Sequence, residues 1–356
     1  MKKVIFALAA VVALAACSQE DVIVADKGAA IGFDTFVENS TRVAEDPSYT
    51  NDDLFDDFRV YGFVEGAPLF KGTLVSGDGL GNNGNWIYEG TQYWIAGANY
   101  VFYAVAPASN NMSNVSYTAA DGVSFTYTNV SGEEDMLYAY AEETGDVSGN
   151  DAVEFAFSHI LSKVKFTFTN GYNATNATIK VKDVVITNAH NTANVALKYD
   201  ATNKVKSVAW TGNNGTISAG VQFGSAATQR VDEVKVDGVL IADHTYNTKY
   251  ESDYERFVIP SANAYEYVIT FTVELYINGQ QIDVDKVAQG VQGYNHRARV
   301  TFAPQAGTAY NICTTIDATN IDPDNEQEEI VFTVTEVGDW TPAEDDLNAS
   351  VDTQNN

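Results

Sequence analysis

Residues 29–43 read AAIGFDTFVENSTRV, and the expected fold follows from how this stretch is parsed. Ile31, Phe33 and Thr35 alternate with Gly32 and Asp34, the period-two signature of a strand with one buried face. The polar run Glu38-Asn39-Ser40-Thr41 comes next, then a lone Arg42 and Val43-Ala44-Glu45-Asp46-Pro47. A strand followed by a polar, cuttable tether reads as a removable element, released by a protease cutting between Arg42 and Val43. The same residues also fit an ordinary first strand and a solvated arginine, and the rest of the chain bears on the choice.

A secretory leader precedes the strand. Lys2-Lys3 and the apolar run 4–16 have the layout of a signal peptide. The run is too short to span a hydrocarbon core of ~30 Å. It ends Leu14-Ala15-Ala16-Cys17, which resembles a bacterial lipobox, so residues 1–16 are expected to be a lipoprotein signal peptide and Cys17 the lipid attachment site. Several acyl chains on Cys17 would hold the protein stably on a membrane. Ser18-Gln19-Glu20-Asp21 follows; it looks like a surface-export signal of Bacteroidetes lipoproteins and also reads as a solvated tether.

A formal net charge of −28 argues against nucleic acid as a partner, since polyphosphate would be repelled. It equally disfavours peripheral binding to an anionic membrane, which leaves attachment to the lipid. With 20 Tyr, 18 Phe and 26 Gly, and many Thr, Val and Asn, the composition is all-β. Helical spacing is weak; the best stretch, residues 51–59 with Leu54, Phe55 and Phe58, reads as well as an acidic loop. If Cys17 is lipidated, Cys313 remains as a lone cysteine expected to be a small buried residue, which excludes a disulfide framework or a cysteine zinc site within the chain.

Chemistry-bearing motifs are missing from the sequence. There is no GxSxG, P-loop, GxGxxG or CxxC, and His159, His190, His244 and His296 are far apart with no HExxH. No metal and no cofactor is expected; His159 is read as a hydrogen-bonded core residue. Asp322, Asp324 and Glu326 resemble half a calcium loop without its glycine. A pair of glycosidase carboxylates could hide among the 48 acidic residues, and the sequence alone does not exclude it. The chain is expected not to be an enzyme.

Strand patterns continue through FRVYGFVEGAPLF (58–70), Trp86-Ile87-Tyr88 and TQYWIAGANYVFYAVAP (91–107), where residues 100–106 are apolar enough to be buried on both faces. A polar gap at 142–151 suggests a domain boundary. Beyond it come VEFAFSHILSKVKFTFT (153–169) and two marked hairpin turns, Asp237-Gly238 and Asn278-Gly279. An acidic linker isolates a last strand, EIVFTVTEVGDW (329–340), so a free strand is expected near each end. The expected organisation is a tether and removable strand at 17–42, domains at 43–150 and 151–343, and a polar tail at 344–356.

Taken together, the lipobox, the strand ending Thr41-Arg42, the YWIAGANYVFYAVAP block from Tyr93, Asp135-Met136-Leu137-Tyr138-Ala139, the FAFSHILSKVKF block from Phe155 and the last strand resemble the fimbrillin-like (Mfa-like, type V pilin) lipoproteins of Bacteroidetes. The resemblance spans nearly the whole chain after the leader. It implies an all-β fold of two tandem transthyretin-like β-sandwich domains, a lipidated precursor in the outer membrane, and trimming after Arg42 by an arginine-specific or trypsin-like protease. It also implies polymerisation with other fimbrial subunits (itself, tip and anchor proteins) by donor-strand exchange, with a host receptor or glycan as a further partner. A stalk subunit is the favoured reading, and an anchor or tip subunit the alternative. A surface glycan-binding lipoprotein, with Trp86, Tyr93 and Trp94 stacking on sugar rings, is a different reading; core packing of those three residues is the plainer one.

Overall fold

Period-two alternation becomes strand where the sequence carries it. Val153, Phe155 and Phe157 point into a core while Glu154 points out, and His296, Ala298 and Val300 do the same against Arg297 and Arg299. The computed structural model describes residues 28–37, 55–77, 86–146, 152–172, 177–200, 202, 204–224, 239–240, 249–252, 254–282, 296–321 and 330–337. Its first strands are β1 (Phe33–Val37), β2 (Asp57–Val64), β3 (Ala67–Gly77), β4 (Trp86–Tyr88), β5 (Asn99–Ala106), β6 (Met112–Thr118), β7 (Gly122–Thr128), β8 (Leu137–Thr144) and β9 (Val153–His159). Then come β10 (Ser162–Asn170), β11 (Ala177–Ile186), β12 (Thr192–Asp200), β13 (Val205–Asn214), β14 (Val221–Gln222), β15 (Val239–Leu240), β16 (Lys249–Glu251) and β17 (Arg256–Val258). The last are β18 (Tyr265–Ile277), β19 (Gln280–Ile282), β20 (His296–Phe302), β21 (Ala309–Ile316) and β22 (Thr333–Val337). Among the described residues the one helix is a single turn, Ala318–Ile321, and Phe58 and Arg59, at the end of the possible helical stretch, lie in β2.

A seven-stranded sheet, ordered β1-β9-β8-β5-β2-β3-β4, curls around its own concave face. Phe33, Phe58, Phe70, Phe102 and Phe155, from five different strands of this sheet, meet there in one core. Register slips in the β2–β3 pair at Val60/Tyr61 and Gly62/Phe63 add bend. Gly62 is required by close approach: a Cβ there would lie 2.6 Å from the Phe70 ring and 2.9 Å from that of Phe102. The convex face carries Tyr61, Phe63, Tyr103, Val105 and Tyr138, which pack on a four-stranded sheet ordered β13-β12-β7-β6. β5 serves both cores, as its unbroken apolar run predicts, with Phe102 and Ala104 on one side and Tyr103 and Val105 on the other.

The polar gap at 142–151 lies between neighbouring strands of one sheet. β8 and β9 pair through Leu137↔His159 and Tyr138↔Ser158, and β12 returns to pair with β7 from Thr192↔Thr128 to Leu197↔Val123. A division at 150/151 would therefore cut through the first sandwich. Polarity there marks a connection between strands of one sheet, and local composition carries no sign that residues 192–214 fold back.

The second sandwich stacks a sheet of β16-β10-β21-β22, with β17 on β10, against one of β14-β11-β18-β19, with β15 on β11 and β20 on β18. Phe166, Phe168, Phe223, Phe271, Leu275 and Ile312 are among its core. The Asn278-Gly279 turn joins β18 to β19 with φ of 52° and 76°, the left-handed pair such a hairpin needs. Asp237-Gly238 lies outside the described residues. The last strand is not detached as expected: β22 pairs antiparallel with β21, and Ile330, Phe332 and Val337 are buried. Its three inward apolar residues hold it in its own domain.

Candidate functional site: the strand that closes the first sandwich

β1 is the edge strand of the curled sheet and also its seam. On one side it runs parallel to β9, from Phe33↔Val153 to Val37↔Phe157, preceded by a bond from the Val153 N–H to the Gly32 carbonyl of 2.8 Å. On the other side residues 29–31 meet the segment after β4, the opposite edge. Ala30 bridges Tyr93, the Ile31 N–H donates to the Gln92 carbonyl at 2.9 Å, and the Trp94 N–H donates to the Ala29 carbonyl at 3.0 Å. The Tyr88 hydroxyl ties the seam: it donates to the Ile31 carbonyl at 2.8 Å and accepts from the Gln92 N–H at 3.1 Å. Burial pushes this phenol's pKa up, against the opposing pull of the Gln92 bond, so it stays a donor through the neutral range.

The buried face predicted from residues 31–35 is the one observed. Ile31 and Phe33 are 2% and 4% exposed, Thr35 is buried and Asp34 is exposed. Phe33 is at the middle of an aromatic cluster: its ring lies 5.5 Å from those of Phe70 and Tyr88, 5.6 Å from Phe155, and 6.2 Å from Phe58 and Phe102. Burial of Ile31 and Phe33 contributes ~1.5–3 kcal/mol each, a substantial part of the ~5–15 kcal/mol net stability usual for a domain. Loss of β1 would expose the backbone edge of β9, the 92–94 backbone and an aromatic slot between them. Such a gap is a template for another strand.

Cys17, Arg42 and Val43 lie outside the described residues, as do His244, Asp322, Asp324 and Glu326. Trp94 is buried against Tyr100 and Phe102, with centroids 4.7 and 6.1 Å away, and Trp86 stacks on Phe55 at 5.9 Å, so the packing reading holds for both tryptophans. Tyr93 is exposed. The TQYW stretch is not a full strand; it supplies an isolated bridge. His159 is hydrogen-bonded as expected, its Nδ1 2.6 Å from Asp135 Oδ2. His190 sits against Tyr265 and His296 stacks on Phe271, and no cluster of metal-binding groups forms among the described residues. Cys313, expected to be buried, is only partly so, because it alternates on β21 with the buried Ile312 and Thr314 and so lies on the face away from the core. The sequence did not single out Tyr88 and Gln92 as seam residues; their pairing with residue 31 is long-range and leaves no local signal.

Two β-sandwiches, the first closed by an apolar strand at its edge, place the chain among all-β proteins. The chain belongs to the fimbrillin-like family, whose sequence model matches residues 41–340. Membership makes it a structural protein of the cell surface, associated with other fimbrial subunits, and not an enzyme. Among solved structures it is similar to one described as a candidate cell adhesion protein from Bacteroides uniformis, at 18% identity, with 88% of this chain and 98% of that one covered and a TM-score of 0.45. Another such candidate, from Bacteroides ovatus, is 13% identical over 88% of this chain and 99% of that one, with a TM-score of 0.45. A fimbrial assembly protein from Parabacteroides distasonis is 12% identical over 86% and 99%, with a TM-score of 0.42. Comparison with curated proteins found no match.

Proposed function

We propose that this chain is a stalk subunit of an adhesive surface fimbria, made as a lipoprotein precursor and polymerised by strand exchange. Cys17 carries the lipid that anchors the precursor in the outer membrane. An arginine-specific or trypsin-like protease cuts between Arg42 and Val43, in the segment between Val37 of β1 and Asp57 of β2. The cut separates the subunit from the anchor and from residues 29–37 together. A strand from another subunit then occupies the slot, and because this contact is head-to-tail it propagates as a filament. The intact seam, the anchor and the net charge of −28 all oppose premature assembly.

The observation that carries this reading is the position of β1: an edge strand whose removal leaves both a backbone edge and the Phe33 slot unfilled. The test is limited trypsin digestion of the unlipidated precursor, followed by mass spectrometry and size analysis, beside an Arg42→Ala control. Cleavage after Arg42, loss of the strand and a ladder of oligomers are expected, with the control remaining monomeric. A cut protein that stays a stable monomer would sink strand exchange.

A further inference from the structure

The first sandwich is open along the margin where β6, the edge strand of the four-stranded sheet, lies over β2 and β3. A groove of about 310 Å³ runs there, lined by Arg59, Tyr61, Lys71, Ser109, Asn110 and Tyr117 among others. The volume suits one or two pyranose rings, at the lower end of ordinary ligand sites.

Charge is the first argument. The chain has 48 acidic and 20 Lys or Arg side chains, so cations find carboxylates easily. Lys163, Lys182, Arg256 and Arg299 each do. Arg59 and Lys71 share one groove, and neither forms an ion pair among the described residues; Arg59 donates to the Gly72 carbonyl at 3.3 Å. The carboxylate of Asp57, two residues before Arg59 on β2, accepts from the Ala108 N–H at 2.9 Å.

Backbone shape is the second. β3 and β6 are both bulged at the groove. Gly72, at φ 80°, is the extra residue that lets Val60 pair with Thr73 and Tyr61 with Lys71. In β6 the register slips between Ser113 and Ser116, with Asn114 at φ 53°. Bulges re-aim side chains beside binding sites, and here one of them sets Lys71 next to Tyr61 at the groove wall.

The third is the aromatic pair. The rings of Tyr61 and Tyr117 lie 5.1 Å apart and tilted by 45°, with Tyr61 buried and Tyr117 partly exposed. An aromatic surface takes the C–H face of a sugar, a guanidinium fork takes an acidic oxygen pair, and the Asn110 amide and Ser109 hydroxyl suit ring hydroxyls.

We propose that this groove binds an acidic saccharide, a pyranose unit bearing a carboxylate or a sulfate ester, with the acid at Arg59 and Lys71 and the ring against Tyr117. The overall charge repels long polyanions of every kind, so the matching class is a short glycan whose acid reaches the locally cationic groove, which has no carboxylate in its lining. The site is complete in one chain and does not depend on polymerisation.

The test is calorimetric titration of the full chain with oligogalacturonate, with a sulfated glycosaminoglycan disaccharide and with a neutral maltooligosaccharide. Saturable binding of at least one acidic sugar is expected, and which one binds identifies the acid. Arg59→Gln and the exposed Lys71→Gln should each weaken it about tenfold, the worth of a charge-assisted hydrogen bond. Tyr117→Ala should weaken binding while leaving its salt dependence. Lys180→Gln, on the second sandwich, should change nothing. The proposal is overturned if no acidic sugar binds, if the Arg59→Gln/Lys71→Gln double variant binds like the unaltered chain, or if neutral sugar binds equally well. It is also overturned if inorganic sulfate competes at the same concentration as the sugar.

Discussion

The N–H of Ile31 donates to the carbonyl of Gln92 at 2.9 Å, joining residues beside opposite ends of the seven-stranded sheet. An ordinary edge strand can leave with one row of hydrogen bonds. The segment 29–37 leaves two, because β9 holds residues 33–37 on one flank and the 92–94 backbone holds residues 29–31 on the other. Under the proposed exchange, a replacement strand would have to satisfy both flanks and fill the position of Phe33. That requirement would favour an alternating apolar strand over a merely extended one.

Phe33→Ala should destabilise the uncut chain by about 3–5 kcal/mol, the usual cost of emptying a buried phenylalanine site. Five aromatic neighbours surround the ring, so the cavity cannot collapse onto one flexible side chain. Urea unfolding followed by tyrosine and tryptophan fluorescence measures this. After cleavage and loss of the strand, variant and parent should unfold alike; a persistent difference would mean that residue 33 had not left.

Much of this was legible beforehand because it is local. The alternation in 31–35, the doubly buried run 100–106 and the Asn278-Gly279 turn are properties of a few adjacent residues, and each appears in the fold as read. What escaped was long-range pairing. Nothing in 192–200 says that it will join β7, more than sixty positions back by the Val195↔Phe125 register, and nothing in Tyr88 or Gln92 points to residue 31. The last strand departs from expectation for the converse reason: its acidic linker suggests detachment, whereas Ile330, Phe332 and Val337 supply the apolar face that docks it.

Gly122→Ala tests that return of β12. Gly122 begins β7 at φ 76°, and a Cβ on it would sit 2.0 Å from the carbonyl oxygen of Leu197. Backbone cannot yield as a side-chain end can, so the strand pair must shift, in addition to ~1 kcal/mol for forcing alanine into the left-handed region. A loss of several kcal/mol is expected, seen as a lowered urea midpoint. Amide exchange should quicken in 192–200 as well as in 122–128; normal protection in 192–200 would contradict the pairing.

Alkaline pH should unfold the protein through its tyrosines. Burial, with Glu142 nearby, lifts Tyr103 to about 12, and burial likewise raises Tyr127, Tyr138 and Tyr267. The unfolded chain ionises tyrosine near ~10, so above that pH it has released protons that the folded chain still holds. Their contribution to stability is full below about pH 10 and falls as pH rises, that of Tyr103 between about 10 and about 12. Urea midpoints should show no loss from these tyrosines up to about pH 10 and drop above it, and tyrosinate absorbance should rise with unfolding. Full tyrosinate absorbance in a protein still folded would refute this.

Phe332→Ala should loosen the last strand and expose Cys313. Phe332 touches the rings of Phe166, Phe168 and Phe271 at 5.7, 5.9 and 5.8 Å. Polar ties remain beside it, with Thr314 Oγ1 donating to the Val331 carbonyl at 2.7 Å and Thr333 Oγ1 to the Cys313 carbonyl at 3.3 Å. The hydroxyl bonds are worth ~1 kcal/mol each, less than the ~3–5 kcal/mol of a buried phenylalanine, so the ring decides whether β22 stays. Local opening of an edge strand needs less free energy than global unfolding, and losing the ring should raise its frequency well over tenfold. The measurement is the rate of thiol labelling at Cys313 in a chain carrying Cys17→Ser, so that one thiol remains. Labelling should be faster in the variant than in the parent, with the first sandwich's urea transition unmoved. Equal labelling rates would show that β22 does not guard Cys313, and that its docking depends on the hydroxyl bonds and the β21 ladder.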